Sequence, residues 1–226
     1  EPSGLERDPA DHGAGRRVDL ADVAVAVLAG ALEESAVGRQ DQPLGEGAGV
    51  VVVESAEHAL ARGATIHAEI LGGALTADAF HISAPEPTGR GQARAMTSAL
   101  RNAGVAPDEV DWIVAHGTST ALNDVTETRA IKAAYGTAAS RIAVSSPKSM
   151  IGHLVGAAGI ASALAAIGGI RDGVIAPTAN LETPDFECDL DYVPKVARRA
   201  KVDTVAVNGF GFGGQNAVTI FRRFVA

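Results

Sequence analysis

At 226 residues the chain is long enough for one large domain or two small ones and for a sizeable buried core. Its formal net charge of −8 argues against an electrostatic grip on nucleic acid or an anionic membrane. The one cysteine, Cys188, excludes an internal disulfide framework and favours a reducing, cytoplasmic compartment. Hydrophobic residues at 46%, aromatics at only 4% and 26 glycines point to a tightly packed α/β protein built on Ala, Val, Ile and Gly.

Residues 1–20 are rich in Gly, Pro and charge with no apolar period, and read as a flexible leader. Leu20 to Ser35 reads as an alanine-rich helix, although Glu33 and Glu34 at its end oppose the helix dipole. The apolar run Val23 to Leu32 is too short to span a bilayer. Arg16-Arg17 is followed by Asp19 and Asp22, where an export signal is acid-poor. Residues 1–41 therefore form a leader and helix of unclear role, and residues 42–226 the domain proper.

Gly47 to Glu54 is a continuous β-branched run and predicts a buried strand. Ala56 to Arg62 predicts a short helix closed by Gly63, and Thr65 to Leu71 a second strand ended by Gly72-Gly73. A helix follows over Gly89 to Ala103 with Gly104 at its C-cap. Val110 to Ala115 predicts a strand, Asp124 to Tyr135 a helix and Ile142 to Ser145 a strand. Leu154 to Ile170 is a helix apolar all round, which implies burial on every side between two sheets. Val202 to Val207 and Ala217 to Phe221 are the last strands. Strands alternating with helices imply a parallel or mixed sheet.

Three residues stand where chemistry is expected. His116 follows a buried strand, at the edge where α/β folds bind ligands, although taken alone such a His is more often a hydrogen-bonded structural residue. His153 precedes the apolar helix, whose N-terminus disfavours an imidazolium; a neutral ring there donates an N–H to an oxyanion. Lys148, on a turn after Pro147, either neutralises developing charge or is a solvated surface Lys. Asp124 and Glu127 share a helix face; Glu127 either pairs with Lys148 or belongs to a solvated acidic face.

Asn208-Gly-Phe-Gly-Phe-Gly-Gly-Gln-Asn216 superficially matches a dinucleotide loop. A strand follows it rather than a helix and a ribose-binding acid, which excludes nucleotide binding. Gly211 between Phe210 and Phe212 instead predicts a mobile loop whose backbone N–H groups approach a substrate oxygen. The histidine spacing fits no metal site.

Taken in order, six segments resemble the β-ketoacyl-acyl carrier protein synthases of fatty acid and type II polyketide synthesis. They are Gly45-Glu-Gly-Ala-Gly49, His116-Gly-Thr-Ser-Thr120, the stretch 145–159 around Lys148 and His153, Pro177-Thr-Ala-Asn180, Cys188-Asp-Leu-Asp-Tyr-Val-Pro194 and Asn208-Gly-Phe-Gly-Phe-Gly-Gly214. The resemblance implies a thiolase-like fold, with mixed sheets and a buried helix layer, of which residues 42–226 are the C-terminal ketosynthase half plus the closing strands of the N-terminal half.

It further implies decarboxylative Claisen condensation of malonyl-carrier with an acyl thioester. His116 and His153 would stabilise the enolate, supported by Lys148 with Glu127 and Asp124. Thr118, Thr120, Phe210 and Gly211 would bind substrate, and Phe212 would supply an oxyanion-hole N–H and gate the acyl tunnel. No cofactor is implied beyond the phosphopantetheine arm, which enters as substrate. The implied partners are acyl carrier protein and a second ketosynthase-type chain, as homo- or heterodimer, with neither nucleic acid nor membrane.

The family's nucleophilic cysteine has no counterpart. Cys188 matches a different position, and the neighbouring Glu187 and Asp189 are expected to raise its thiol pKa. A malonyl-carrier decarboxylase, or a non-catalytic carrier-binding subunit, is therefore carried as an alternative.

Overall fold

The structure is a computed structural model that describes residues 23–27 and 44–225. Its elements are strand β1 (Val23–Val27), β2 (Val51–Ser55), helix α1 (Ala56–Ala61), β3 (Ala68–Ala77), α2 (Arg90–Ala103), β4 (Trp112–Val114), α3 (Asn123–Tyr135), β5 (Ala143–Ser145), α4 (Lys148–Ile151), α5 (Ala158–Asp172), β6 (Val174–Ile175), β7 (Arg198–Arg199), β8 (Thr204–Gly211) and β9 (Gln215–Arg222). Seven strands make one sheet in the order β2-β1-β3-β9-β8-β4-β5, and β6 and β7 form a separate ribbon. The sheet is mixed. β8, β4 and β5 run parallel, whereas β1, β2, β3, β9 and β8 join antiparallel.

Side chains alternate across the central strands and so divide the core in two. Ile113, Val144, Ala206, Val218 and Ile220 face α2 and α3, where Met96, Leu100 and Ile131 cover them. Trp112, Val114, Val205, Val207 and Phe221 face the other way, onto Ala166, Ile167 and Ile170 of α5. The chain is thus layered helix, sheet, helix. Full burial of side chains such as Met96, Ile113 and Ile220 contributes about 1.5–3 kcal/mol each.

Several sequence expectations change. A helix over Leu20 to Ser35 is replaced, within its described part, by β1. Val-Ala-Val-Ala-Val alternates a β-branched residue with a small one, and its backbone pairs with β2 on one side and β3 on the other. The rest of that helix, and the leader over 1–20, lie outside the described residues.

Gly72-Gly73 does not end its strand. β3 passes through the pair because a Cβ on Gly72 would lie 2.7 Å from the Ala103 nitrogen; the glycine lets the end of α2 lie on the strand. A register shift between Ile70 and Gly72 marks the spot. The strand expected over Gly47 to Glu54 starts at Val51 and is half-buried to exposed rather than buried, because it lies at the edge of the sheet. Gly49 instead abuts Ile160 and Leu164 of α5.

Helix α5 has a sheet on one side only among the described residues. Ala161, Ser162, Ala166, Ile167, Gly169 and Ile170 are buried, while Val155 ahead of it is exposed. By length and composition alone, Val155–Asp172 could cross a membrane. Here it lies against the sheet as a core helix.

Candidate active site

Two parallel strands, β4 and β5, end together beside the middle of β8 and deliver the site. Val114 of β4 is in register with Ser145 of β5 and with Val207 of β8. His116 and Ser146 to Lys148 therefore emerge at one sheet edge, beside Asn208 within β8, where α/β folds place ligands. His153 reaches the same place from the segment between α4 and α5. Its ring meets that of His116 edge to face, with centroids 5.7 Å apart and planes at 83°. The backbone at His153 is held from the side, because the Gly45 N–H donates to the His153 carbonyl at 3.2 Å.

Both rings are held neutral. Burial, with the Lys148 and His153 charges adding to it, pushes the His116 pKa down to about 3. Burial and Lys148 also lower that of His153. The Val155 N–H donates to His153 Nδ1 at 3.0 Å. The neutral ring therefore carries its proton on Nε2, free to donate. Val155 adopts φ +49° to make that contact.

Glu127 is 3% exposed, which rules out the solvated acidic face. It does not ion-pair with Lys148. Its carboxylate accepts N–H bonds from His116 (2.9 Å), Gly117 (2.9 Å), Asn208 Nδ2 (3.0 Å) and Asn123 Nδ2 (3.3 Å). Glu127 thus fixes the backbone on which His116 stands and acts on Lys148 only through space. Gly117 is required by its φ of +43° and by a Cβ site 2.7 Å from the Ser146 Cβ. Asp124 accepts from the Ser119 N–H and Asn123 Nδ2, both at 3.1 Å, and burial raises its pKa.

Lys148 is 9% exposed and is no surface lysine. Burial lowers its pKa against the opposing pull of Glu127 and Asp124. It lines a cavity of about 440 Å³ together with His153, Thr118, Thr120, Asp124 and Glu127. The Thr118 and Thr120 hydroxyls are hydrogen-bonded to each other at 3.1 Å. Cys188 lines the same cavity, and its thiol is pushed up, first by burial and then by Asp124 and Asp185. Glu187 and Asp189 instead face Arg129 and Lys132, so the direction expected for Cys188 stands but its cause differs.

Phe210 is buried, with its ring 5.8 Å from that of His116. Phe212 is 83% exposed on the β8–β9 turn, outside the residues that line the cavity. The mobile loop expected over Asn208–Asn216 is mostly paired strand. β8 continues through Gly211, and only 212–214 turn, because Phe210 packs into the core. Sequence reading missed the roles of Asn123 and Asn208. An Asn closing the apolar run Val205-Ala-Val207 is the one signal that pointed to the latter. It also missed Ser149, whose hydroxyl donates to the Ser146 carbonyl at 2.8 Å and accepts the Ala179 N–H at 2.9 Å, joining α4 to the 177–180 segment. Among the described residues no three His, Cys, Asp or Glu side chains gather to hold a metal ion.

A layered mixed α/β sheet with two neutral histidines and a buried lysine at its C-terminal edge defines a site for stabilising negative charge on oxygen. The β-ketoacyl synthase C-terminal domain matches residues 67–182, and the chain belongs to that family. It is 53% identical over 181 residues to 3-oxoacyl-[acyl-carrier-protein] synthase 2 of Synechocystis sp., covering 80% of this chain and 44% of that protein.

Two solved structures have the same thiolase-like ketosynthase fold. One is a type II polyketide ketosynthase, bound to the hexaketide, in complex with its acyl-carrier protein (TM-score 0.80, 37% identity, 85% of this chain and 47% of that one). The other is the ishigamide ketosynthase/chain length factor (TM-score 0.79, 39% identity, 90% and 54%). The chain spans about half the length of these relatives.

Proposed function

We propose that this chain supplies the enolate-stabilising half of a β-ketoacyl synthase in fatty acid or type II polyketide synthesis. A malonyl thioester on the phosphopantetheine arm of acyl carrier protein would enter the cavity past Thr118 and Thr120. Loss of CO2 leaves an electron pair that spreads onto the thioester oxygen. The Nε2–H of His153 and the ring of His116 donate to that oxygen, and the Lys148 ammonium offsets its charge. The enolate carbon then attacks an acyl thioester on a cysteine outside these 226 residues, and the cysteine thiolate leaves as the new carbon–carbon bond forms. Cys188, with its raised thiol pKa, is a poor candidate for that nucleophile.

The observation that carries this reading is the neutral His116–His153 pair beside a buried lysine at one sheet edge. Support also comes from relatives named as synthases and from a neighbour that binds its carrier. By the same reasoning the protein works in the cytoplasm, with a second ketosynthase-type chain as its partner. Phe212, on its exposed turn, would act at the cavity mouth only once that partner is present.

The test is malonyl-carrier decarboxylation by the purified chain, with condensation assayed after adding a cysteine-bearing ketosynthase half. Decarboxylation that falls about 100-fold or more in His116→Ala and His153→Ala is expected. Tight carrier binding with no turnover in either assay would replace this reading by that of a non-catalytic subunit. Condensation by the isolated chain would overturn the assignment of the nucleophile.

A further inference from the structure

The chain has four lysines. Lys132, Lys195 and Lys201 stand at the surface, each tied to a carboxylate, that of Asp189, Glu182 and Asp203 respectively. Lys148 differs in every respect. It is nine-tenths buried, joins none of the ion pairs among the described residues, and lines the cavity that would receive the thioester. The carboxylate with the stronger through-space pull on it, Glu127, already accepts four N–H bonds. Asp124 is engaged by the Ser119 and Asn123 N–H groups. His116 and His153 are held neutral and offer it no counter-charge. The Cys188 thiol and Tyr192 hydroxyl in the same cavity have raised pKa values, and Asp185 lines the cavity without an ion pair to it.

We propose that Lys148 is a modification site: its amine takes the acyl group from a thioester that occupies the cavity. The step needs no further reactant. The nitrogen lone pair forms a bond to the thioester carbonyl carbon, and the carbon–sulfur bond breaks. The sulfur leaves with that electron pair, and the proton shed by the nitrogen ends on the departing thiol. Burial lowers the Lys148 pKa and so enlarges the fraction of ammonium that sheds its proton to give the amine the step requires. The product is an amide without charge, so it removes the cation from the site and fills part of the cavity. Acylation is therefore self-limiting, and it silences the enolate chemistry. The inference rests on the reading of the cavity as a thioester pocket.

The test incubates the full chain with acetyl-N-acetylcysteamine, a small soluble thioester, and maps acetylation at all four lysines by mass spectrometry. Lys148 is expected to react about tenfold or more faster than Lys132, Lys195 or Lys201, with a rate that saturates in thioester, as binding before reaction requires. In urea the preference should vanish. Equal or slower reaction at Lys148, a rate that never saturates, or a preference that survives urea would overturn the proposal. Malonyl-thioester decarboxylation, measured in parallel on unmodified protein, separates the two readings. Selective Lys148 acetylation without decarboxylation removes only the enolate function, and decarboxylation without selective acetylation removes only this inference.

Discussion

The turn that carries His116 and the hairpin tip that carries Phe212 both bend at glycines with positive φ, yet they are built in opposite ways. In the first, the His116 and Gly117 N–H groups donate to the Glu127 carboxylate and that of Ser119 to Asp124. In the second, strand pairing stops at Gly211, the Gly213 N–H donates to the Ile82 carbonyl, the Gly214 carbonyl accepts from the Asp78 N–H, and the aromatic ring stands in solvent. The lesson is that glycine permits a tight turn, while the acceptor it meets, a buried carboxylate or a backbone carbonyl, decides whether the turn serves the core or the surface.

The comparison is broken most forcefully at the acceptor. Glu127→Gln sets an amide donor against N–H groups that need an oxygen, and should destabilise the fold by about 3 kcal/mol in urea denaturation. A loss under 1 kcal/mol would mean that the turn is held by something else.

Acid should loosen the same region. His116 has a folded-state pKa of about 3 against an ordinary 6.5. Between those values the unfolded chain binds more protons, so stability falls as pH drops below about 6.5 and is unaffected by this group above it. His116→Asn should flatten the stability–pH slope between pH 6.5 and 5. An unchanged slope would show that the ring titrates normally. Gly117→Ala forces a Cβ toward Ser146 at positive φ and should cost about 2 kcal/mol in the same denaturation series. At the other extreme, Phe212→Ala should change stability by less than about 0.5 kcal/mol. A larger loss would mean that the tip packs against the chain after all.

Much of this was legible from the sequence where a local pattern and its tertiary use agree. Helices α2 and α3 carry glycines at their C-termini, and β4, β5 and β8 are short β-branched or apolar runs that a buried parallel core demands. His116 and Lys148 were legible because strand ends and the turns after them mark a ligand-binding edge, and His153 because it stands just ahead of an apolar helix. What stayed hidden depends on partners far away in sequence. The run Val23–Val27 looks helical within an alanine-rich stretch, but two neighbouring strands claim its backbone. Gly72-Gly73 looks like a strand end until α2 is laid across it. Glu127 looked like the partner of Lys148 because opposite charges invite that guess; four nearby N–H donors, two of them from asparagines 4 and 81 residues away, outcompete the lysine.

Val155 has a consequence of its own. A β-branched residue rarely visits left-handed backbone angles, and holding it there costs on the order of 1–3 kcal/mol. Its amide is what dictates which ring nitrogen of His153 bears the hydrogen, so the tautomer is set by main chain rather than by a neighbouring side chain. Glycine at 155 would relieve the strain and keep the donor, giving a sturdier protein with an unaltered imidazole.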